Sequence, residues 1–373
     1  MTDYLFIDTA TEAAALAADW AGATRLAVDT EFVRESTYRA RLCLLQISDG
    51  ERIACIDTLA LGGPGPFTGL LLDPGVRKVF HAARQDLEVL NDHLETVPGP
   101  VWDTQVAAAM LGHPDQVGYT QLTGAELGVT LPKDHARTDW SRRPLAPEQL
   151  HYAAADVEWL LPLADRLAAA LQQRGRLEWA EAESAALCDP DLYAFDDAGA
   201  WRRVKGASRL DAPALGRLVA LAAWREREAR DRDRPRRWIL KDEDLVALAE
   251  RNPPDREALA RETRLPGASL QRLGGVLLDV LQAAADVAPP AVSIPARLEP
   301  AQERLVKQLL ARLREIAESA QVSAPMVATR KDVEALVRGR RDLALLQGWR
   351  RALAGDELLR MAERAGPAAA PPG

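Results

Sequence analysis

The sequence predicts an α/β domain followed by two small all-α helical domains. Strand-like and helix-like segments alternate through the first half of the chain. After residue 200 the strand signals give way to Leu-, Ala- and Arg-rich stretches with helical spacing. Within that second half, 286–300 carries Pro289, Pro290, Pro295 and Pro300, the composition of a linker.

In chain order, Tyr4–Asp8 reads as a short strand that runs into a helix at Thr9-Ala10-Thr11-Glu12, which has capping-box spacing. Arg25–Phe32 and Arg39–Ser48 read as strands, and Ser48-Asp49-Gly50-Glu51 as a hairpin turn into Arg52–Asp57. A strand over Val76–His81 precedes a helix over Arg84–His93. Asp103 is placed to cap a helix over Thr104–Leu111, which Gly112-His113-Pro114 ends. A single long helix is expected from Pro147 to Gly175, with proline in the favoured first turn. Beyond it, 206–285 and 298–365 are helical, as the spacing of Leu215, Leu218, Val219 and Ala222 illustrates. The expected boundaries are 1–190 for the α/β domain, 205–285 and 298–365 for the helical domains with the linker between them, and 366–373 for a disordered Ala/Pro/Gly tail.

A chain of 373 residues is long enough for two or three domains. The N-terminus lacks a basic stretch followed by an apolar run, so no secretory signal is expected, and no segment approaches the roughly 18 apolar residues of a membrane span. Cys43, Cys55 and Cys188 form no C-x-x-C pair, which speaks against a disulfide framework and against zinc, and the cytoplasm is the default location. The net charge of −8 at first disfavours a nucleic-acid partner. However, 201–241 holds 13 Lys/Arg against 5 Asp/Glu, a local net of +8, so the remainder carries −16. One basic module beside acidic ones suits a division between nucleic-acid binding and metal-dependent chemistry.

The acidic candidates fall in three places. In RLAVDTEF (Arg25–Phe32), Asp29 and Glu31 are two apart and project from one face of a strand. Side by side on an apolar strand they repel each other and lose solvation, which a divalent cation relieves; an edge strand facing water is the plainer alternative. Asp86 lies at a strand-to-helix junction, where open α/β sheets place their chemistry, although a first-turn acid also simply suits the helix dipole. Tyr152 and Asp156 are four apart on one helix face, with alanines between them that allow close approach to a sheet. Together these four carboxylates and the tyrosine suit a pair of Mg²⁺ or Mn²⁺ ions, hard cations that take oxygen ligands and can serve a phosphodiester displacement.

The segments LAVDTEFVRESTYRARLCLLQIS (Leu26–Ser48), FHAARQDLEVL (Phe80–Leu90) and RTDWSRRPLAPEQLHYAAADVEWLLP (Arg137–Pro162) resemble the three exonuclease motifs of bacterial ribonuclease D. WDTQVAA (Trp102–Ala108), between the second and third, is similar too. That family belongs to the tyrosine-containing branch of the DEDD exonucleases. The resemblance implies an RNase H-like fold, a mixed sheet flanked by helices, and release of nucleoside 5′-monophosphates from RNA 3′ ends. It further implies that Asp29 bridges two ions, that Glu31 and Asp156 complete the nucleophile-side site and that Asp86 holds the second ion partly through water. Tyr152 takes the place of the tyrosine that orients the attacking water. Flanking candidates for substrate contact are Phe32, by stacking or as a core residue, His81, by nucleotide contact or as a strand-end cap, and Arg137, Arg142 and Arg143, by phosphate contact. Asp103, Asp139 and Trp140 read as a cap, a loop salt bridge and an anchor.

Gly206–Pro253 resembles the helical domain shared by RecQ-type helicases and ribonuclease D, implying an RNA-gripping module. Its candidate contacts are Arg202, Arg203, Lys205, Arg230, Arg234, Arg236 and Arg237, against the plainer reading of a solvated helix with alternating charge. VATRKDVEALVRG (Val327–Gly339) echoes WILKDEDLVALAE (Trp238–Glu250), so 298–365 reads as a diverged second copy. The expected function is 3′→5′ trimming of RNA with a free 3′ end, transfer RNA precursors foremost, without a membrane or an obligate protein partner. A DNA exonuclease and a non-catalytic nucleic-acid scaffold are the competing readings.

Overall fold

The computed structural model describes residues 3–131, 138–263, 265–285 and 298–365. Most of the Pro-rich linker, the C-terminal tail and Arg137 lie outside the described residues. The described residues fall into two compact units. One takes in those within 1–33, 42–193 and 297–373, and the other those within 34–41 and 194–296.

The first unit is built on a six-stranded sheet in the order β1-β4-β3-β2-β5-β6. The strands are β1 (Leu5–Ile7), β2 (Arg25–Val33), β3 (Arg41–Ser48), β4 (Ile53–Ile56), β5 (Arg77–Phe80) and β6 (Val101–Asp103). β1 pairs parallel with β4, β2 with β5 and β5 with β6, whereas β3 and β4 form the antiparallel hairpin expected from the Ser48–Glu51 turn. The sheet is therefore mixed. Leu26, Ala27 and Val28 of the central β2 are fully buried, which the apolar run of a strand covered on both faces requires.

Helices α1 (Ala10–Asp19), α2 (Thr58–Leu61), α3 (Thr68–Leu72), α4 (Arg84–Leu94), α5 (Thr104–Ala109), α6 (Tyr119–Leu127), α7 (Pro147–Glu158), α8 (Leu160–Gln173) and α9 (Leu177–Ala186) complete this part. Thr9 caps α1 by accepting from the Glu12 N–H, and Asp103 caps α5 by accepting from Gln105 and Val106. The expected continuous helix from Pro147 to Gly175 is instead two helices, broken at Trp159. Pro162 has no N–H to give to the Glu158 carbonyl, so the ladder is interrupted there. α7 packs against β2 and β4, while α4 also reaches β2 and α8 reaches β2 and β5.

The second unit contains α10 (Ala212–Asp231), α11 (Arg236–Ile239), α12 (Asp242–Arg251), α13 (Arg256–Glu262) and α14 (Gly267–Ala285) around a core that includes Trp201, Leu218, Leu221, Leu245, Leu259 and Leu277. The β2–β3 connection, residues 34–41, groups with this unit: Tyr38 donates its hydroxyl to Glu226 at 2.6 Å, and Asp233 accepts from the Tyr38 and Arg39 N–H groups. The C-terminal helices are α15 (Pro300–Ala320), α16 (Ala324–Val327), α17 (Arg330–Val337), α18 (Gly348–Arg350) and, after a π turn over Arg351–Gly355, α19 (Asp356–Arg364). Their order of long helix, four-residue turn and short helix repeats that of α10, α11 and α12.

Candidate active site

Asp29 and Glu31 leave β2 on one face, and α7 crosses that face with Asp156 in its last turn. The small residues Ala153, Ala154 and Ala155 are buried, which lets the helix approach the sheet closely. Carboxylate oxygens of Asp29, Glu31 and Asp156 consequently lie within 4.8 Å of one another. Thr30, between the two acids and so on the opposite face, donates its hydroxyl to Asp86 at 2.5 Å. Asp86 sits in the first turn of α4 and lines the same cleft outside the tight cluster of three. The cleft encloses about 440 Å³ and is also lined by Phe32, His81, Gln85, Tyr119 and Tyr152.

The electrostatics are those of a site short of positive charge. Burial pushes the Asp29 carboxyl well above the ordinary carboxylate range, and the neighbouring Asp156 pushes it further. Asp86 is raised in the same direction, by burial first and Asp29 second. Buried acids that raise one another are favoured in their charged form only when a cation or proton compensates. All the donors are carboxylate oxygens, the ligand type that Mg²⁺, Mn²⁺ and Ca²⁺ take. The residues present therefore fit a divalent metal.

The turn that delivers Asp86 is held by Asp103. Ala82 adopts a left-handed conformation with φ of 60°, and the Asp103 carboxylate accepts from both the Ala82 and Ala83 N–H groups, at 3.1 and 2.8 Å. The same carboxylate caps α5. His81 is spoken for: Nδ1 lies 2.9 Å from the Thr104 hydroxyl and Nε2 2.9 Å from the Val117 carbonyl. Burial pushes its pKa down, the nearby Asp103 opposing, so the ring is neutral near pH 7. A neutral His81 donates from Nε2 to the Val117 carbonyl, while the Thr104 hydroxyl beside Nδ1 also lies within reach of the Phe80 carbonyl, 3.0 Å away. It presents only its ring to the cleft, which disfavours a polar contact with the scissile phosphate.

Phe32 is half-buried on the cleft wall. Arg142 is 84% exposed and pairs with Asp139, itself turned by hydrogen bonds with Ser141. Trp140 is a buried anchor, 6.2 Å from the Tyr152 ring. Arg143 corrects an expectation. Its guanidinium grips the buried Asp57 carboxylate through two bonds, at 2.6 and 2.8 Å, and the carbonyls of Cys43 and Trp140, so its donors serve the fold rather than a phosphate.

The basic set of the second unit divides similarly. Arg230 makes a bidentate pair with Asp197, and Arg236 grips the buried Glu226 at 2.6 Å. Arg203 is 3.5 Å from the same Glu226. Arg230 and Arg236 thus hold the unit together, contrary to their expected role as backbone contacts. Arg202, Lys205, Arg234 and Arg237 remain on the exposed surface. Thr30, Gln85, Tyr119 and the strained Ala82 escaped the sequence reading. Thr30 was readable in retrospect, because the residue between two same-face carboxylates must serve the other face; Tyr119 lies far along the chain on a weakly periodic helix.

Residues 4–172 match the 3′-5′ exonuclease family, and residues 214–281 match the HRDC domain. The ribonuclease D of Acidiphilium cryptum is 40% identical over 370 residues, covering 96% of this chain and 92% of its own. That of Zymomonas mobilis is 39% identical over 371 residues, covering 96% and 94%. The crystal structure of Escherichia coli RNase D, an exoribonuclease involved in structured RNA processing, matches with a TM-score of 0.85 and 31% identity over 97% of this chain and 99% of its own. Similarity over almost the whole length of such relatives, in a chain that builds a carboxylate-lined cleft on a mixed sheet, leads to one conclusion: the chain belongs to the ribonuclease D family and is a 3′→5′ exoribonuclease.

Proposed function

We propose that the protein matures the 3′ ends of transfer RNA precursors in the cytoplasm, using two divalent ions, Mg²⁺ or Mn²⁺, at Asp29, Glu31, Asp86 and Asp156. The observation that supports this reading most is the convergence of three carboxylates within 4.8 Å, with Asp86 on the wall of the same cleft. When bound, the ions would supply Lewis-acid assistance to water attack and offset charge on the phosphate.

The chain's own residues do the rest. Tyr152, one turn before Asp156 on α7, orients the attacking water by hydrogen bonding. Phe32 offers an aromatic face to the terminal base, and Arg142, 84% exposed in its pair with Asp139, a cation to a phosphate upstream. A cleft of about 440 Å³ lies in the range of about 300–1,000 Å³ that encloses small ligands, enough for one nucleotide at a time. We assign 1–190 to catalysis and 205–285 to RNA binding through Lys205, Arg234 and Arg237, with Arg202 and Arg203 just before it adding to the same basic surface, and 298–365 as a diverged second copy. Incubating a 3′-extended transfer RNA and a DNA of matching sequence with Mg²⁺ or Mn²⁺ tests the proposal. Trimming of the RNA to its mature end, with the DNA much slower, is expected; equal rates on both, or no arrest near the mature end, would overturn the assignment.

A further inference from the structure

The second unit carries an exposed indole that no part of the catalytic account uses. Trp238 is 59% exposed, more than any other large apolar side chain among the described residues. Its exposure is enforced by its neighbours. Ile239 and Leu240 are 7% and 2% exposed and anchor the chain in the helical core, while Arg236 is turned inward to Glu226. Arg237 and Trp238 are left on the outside of α11.

The loop before it is tightly specified. Asp233 has a left-handed φ of 45° and accepts from two backbone N–H groups of residues 38 and 39, and Pro235 fixes the next bend. Between them Arg234 places its guanidinium 6.0 Å from the centre of the Trp238 ring. Neither Arg234 nor Arg237 forms an ion pair among the described residues, unlike Arg225, Arg230 and Arg236 in the same unit. Asp242, close by in sequence, is paired with Arg225 at 2.7 Å, and Arg237 attracts it only from beyond ion-pair distance. The result is an exposed aromatic platform flanked by cations available to a polyanion.

We propose that Trp238 is a base-stacking site for single-stranded RNA, with Arg234 and Arg237 holding the adjoining phosphates. Arg234 lies over one face of the indole, so a base stacks on the other; stacking accepts any base while the adjoining cations supply the charge, the two parts of a sequence-tolerant single-strand site. The inference rests on the reading of this unit as RNA-binding and names the contact within it.

The test uses the full chain with a metal chelator, so that RNA binds without being cut. A single-stranded oligoadenylate and an abasic oligomer of equal length are titrated against wild type, Trp238→Ala, Trp238→Phe and the Arg234→Ala/Arg237→Ala double variant. Trp238→Ala should weaken oligoadenylate binding about tenfold, Trp238→Phe should restore most of it, and the abasic oligomer should not distinguish them. The double variant should weaken both oligomers and lower the salt slope by roughly 1–2. If Trp238→Ala binds oligoadenylate as wild type does while the double variant loses affinity, the stacking site is wrong and the RNA-binding reading stands. If no variant changes binding to either oligomer, both fall. Equal loss of the abasic oligomer in Trp238→Ala would also overturn stacking.

Discussion

Asp29 is the residue on which the site turns. Burial and the nearby Asp156 raise its carboxyl well above the ordinary range, and Asp86 follows for similar reasons. An acid whose pKa is higher in the folded chain than in the unfolded one holds its proton more tightly when folded. These groups therefore favour folding at low pH, and that contribution is lost as pH rises from the ordinary carboxylate range through the raised folded values. A divalent cation competes with the proton for the same oxygens, so its stabilising effect should grow across that window. Thermal melts with and without Mg²⁺ over a pH series check this; a metal effect that does not grow with pH would contradict it. Asp29→Asn should raise the Tm of the metal-free protein at neutral pH and abolish the metal-induced increase.

At the scale of elements, Asp103 joins β6, α5 and the β5–α4 turn with one carboxylate that accepts from Ala82, Ala83, Gln105 and Val106. Asp103→Ala removes a helix cap, at about 1 kcal/mol, and releases the left-handed Ala82 besides. The expected outcome is a loss of roughly 2–3 kcal/mol of stability in denaturant melts together with a fall in kcat, because Asp86 hangs on that turn. Asp103 as a cap was legible in its sequence setting; its second duty was not, because it depends on β5 and β6 lying side by side. The strands with long apolar runs were legible for the same reason that they are central. Three-residue β6, hemmed by Pro98 and Pro100, has too few residues to show a period, and α6 carries Gly124 and little apolar spacing. The four carboxylates and Tyr152 were legible only as an ordered set. Arg143, Arg230 and Arg236 misled because a basic residue in sequence does not show whether a buried carboxylate awaits it.

At the scale of the molecule, the C-terminal helices belong to the same compact unit as the exonuclease sheet. Trp349 stacks on Trp179 with ring centroids 5.0 Å apart and donates to Glu183 at 2.9 Å, and Arg350 closes a bidentate pair with the same carboxylate. The Ser323 N–H donates to the Ala109 carbonyl, and Arg176 donates to Met110 and Gln321 carbonyls. Glu183→Ala strands a partly buried guanidinium and should cost about 3 kcal/mol, read as a lower denaturation midpoint. A midpoint unchanged from wild type would show that this contact does not tie the C-terminal helices to the sheet.

The proposed chemistry is the removal of nucleotides from RNA 3′ ends at one carboxylate site. Its most direct test is a time course on a 5′-labelled RNA with wild type and Asp29→Asn, with and without Mg²⁺ or Mn²⁺, and the released nucleotides identified. Wild type should shorten the RNA one nucleotide at a time to nucleoside 5′-monophosphates only when metal is present, and Asp29→Asn should be slower by on the order of 10³-fold or more. Undiminished hydrolysis by Asp29→Asn, or release of nucleoside 3′-monophosphates, would contradict the account.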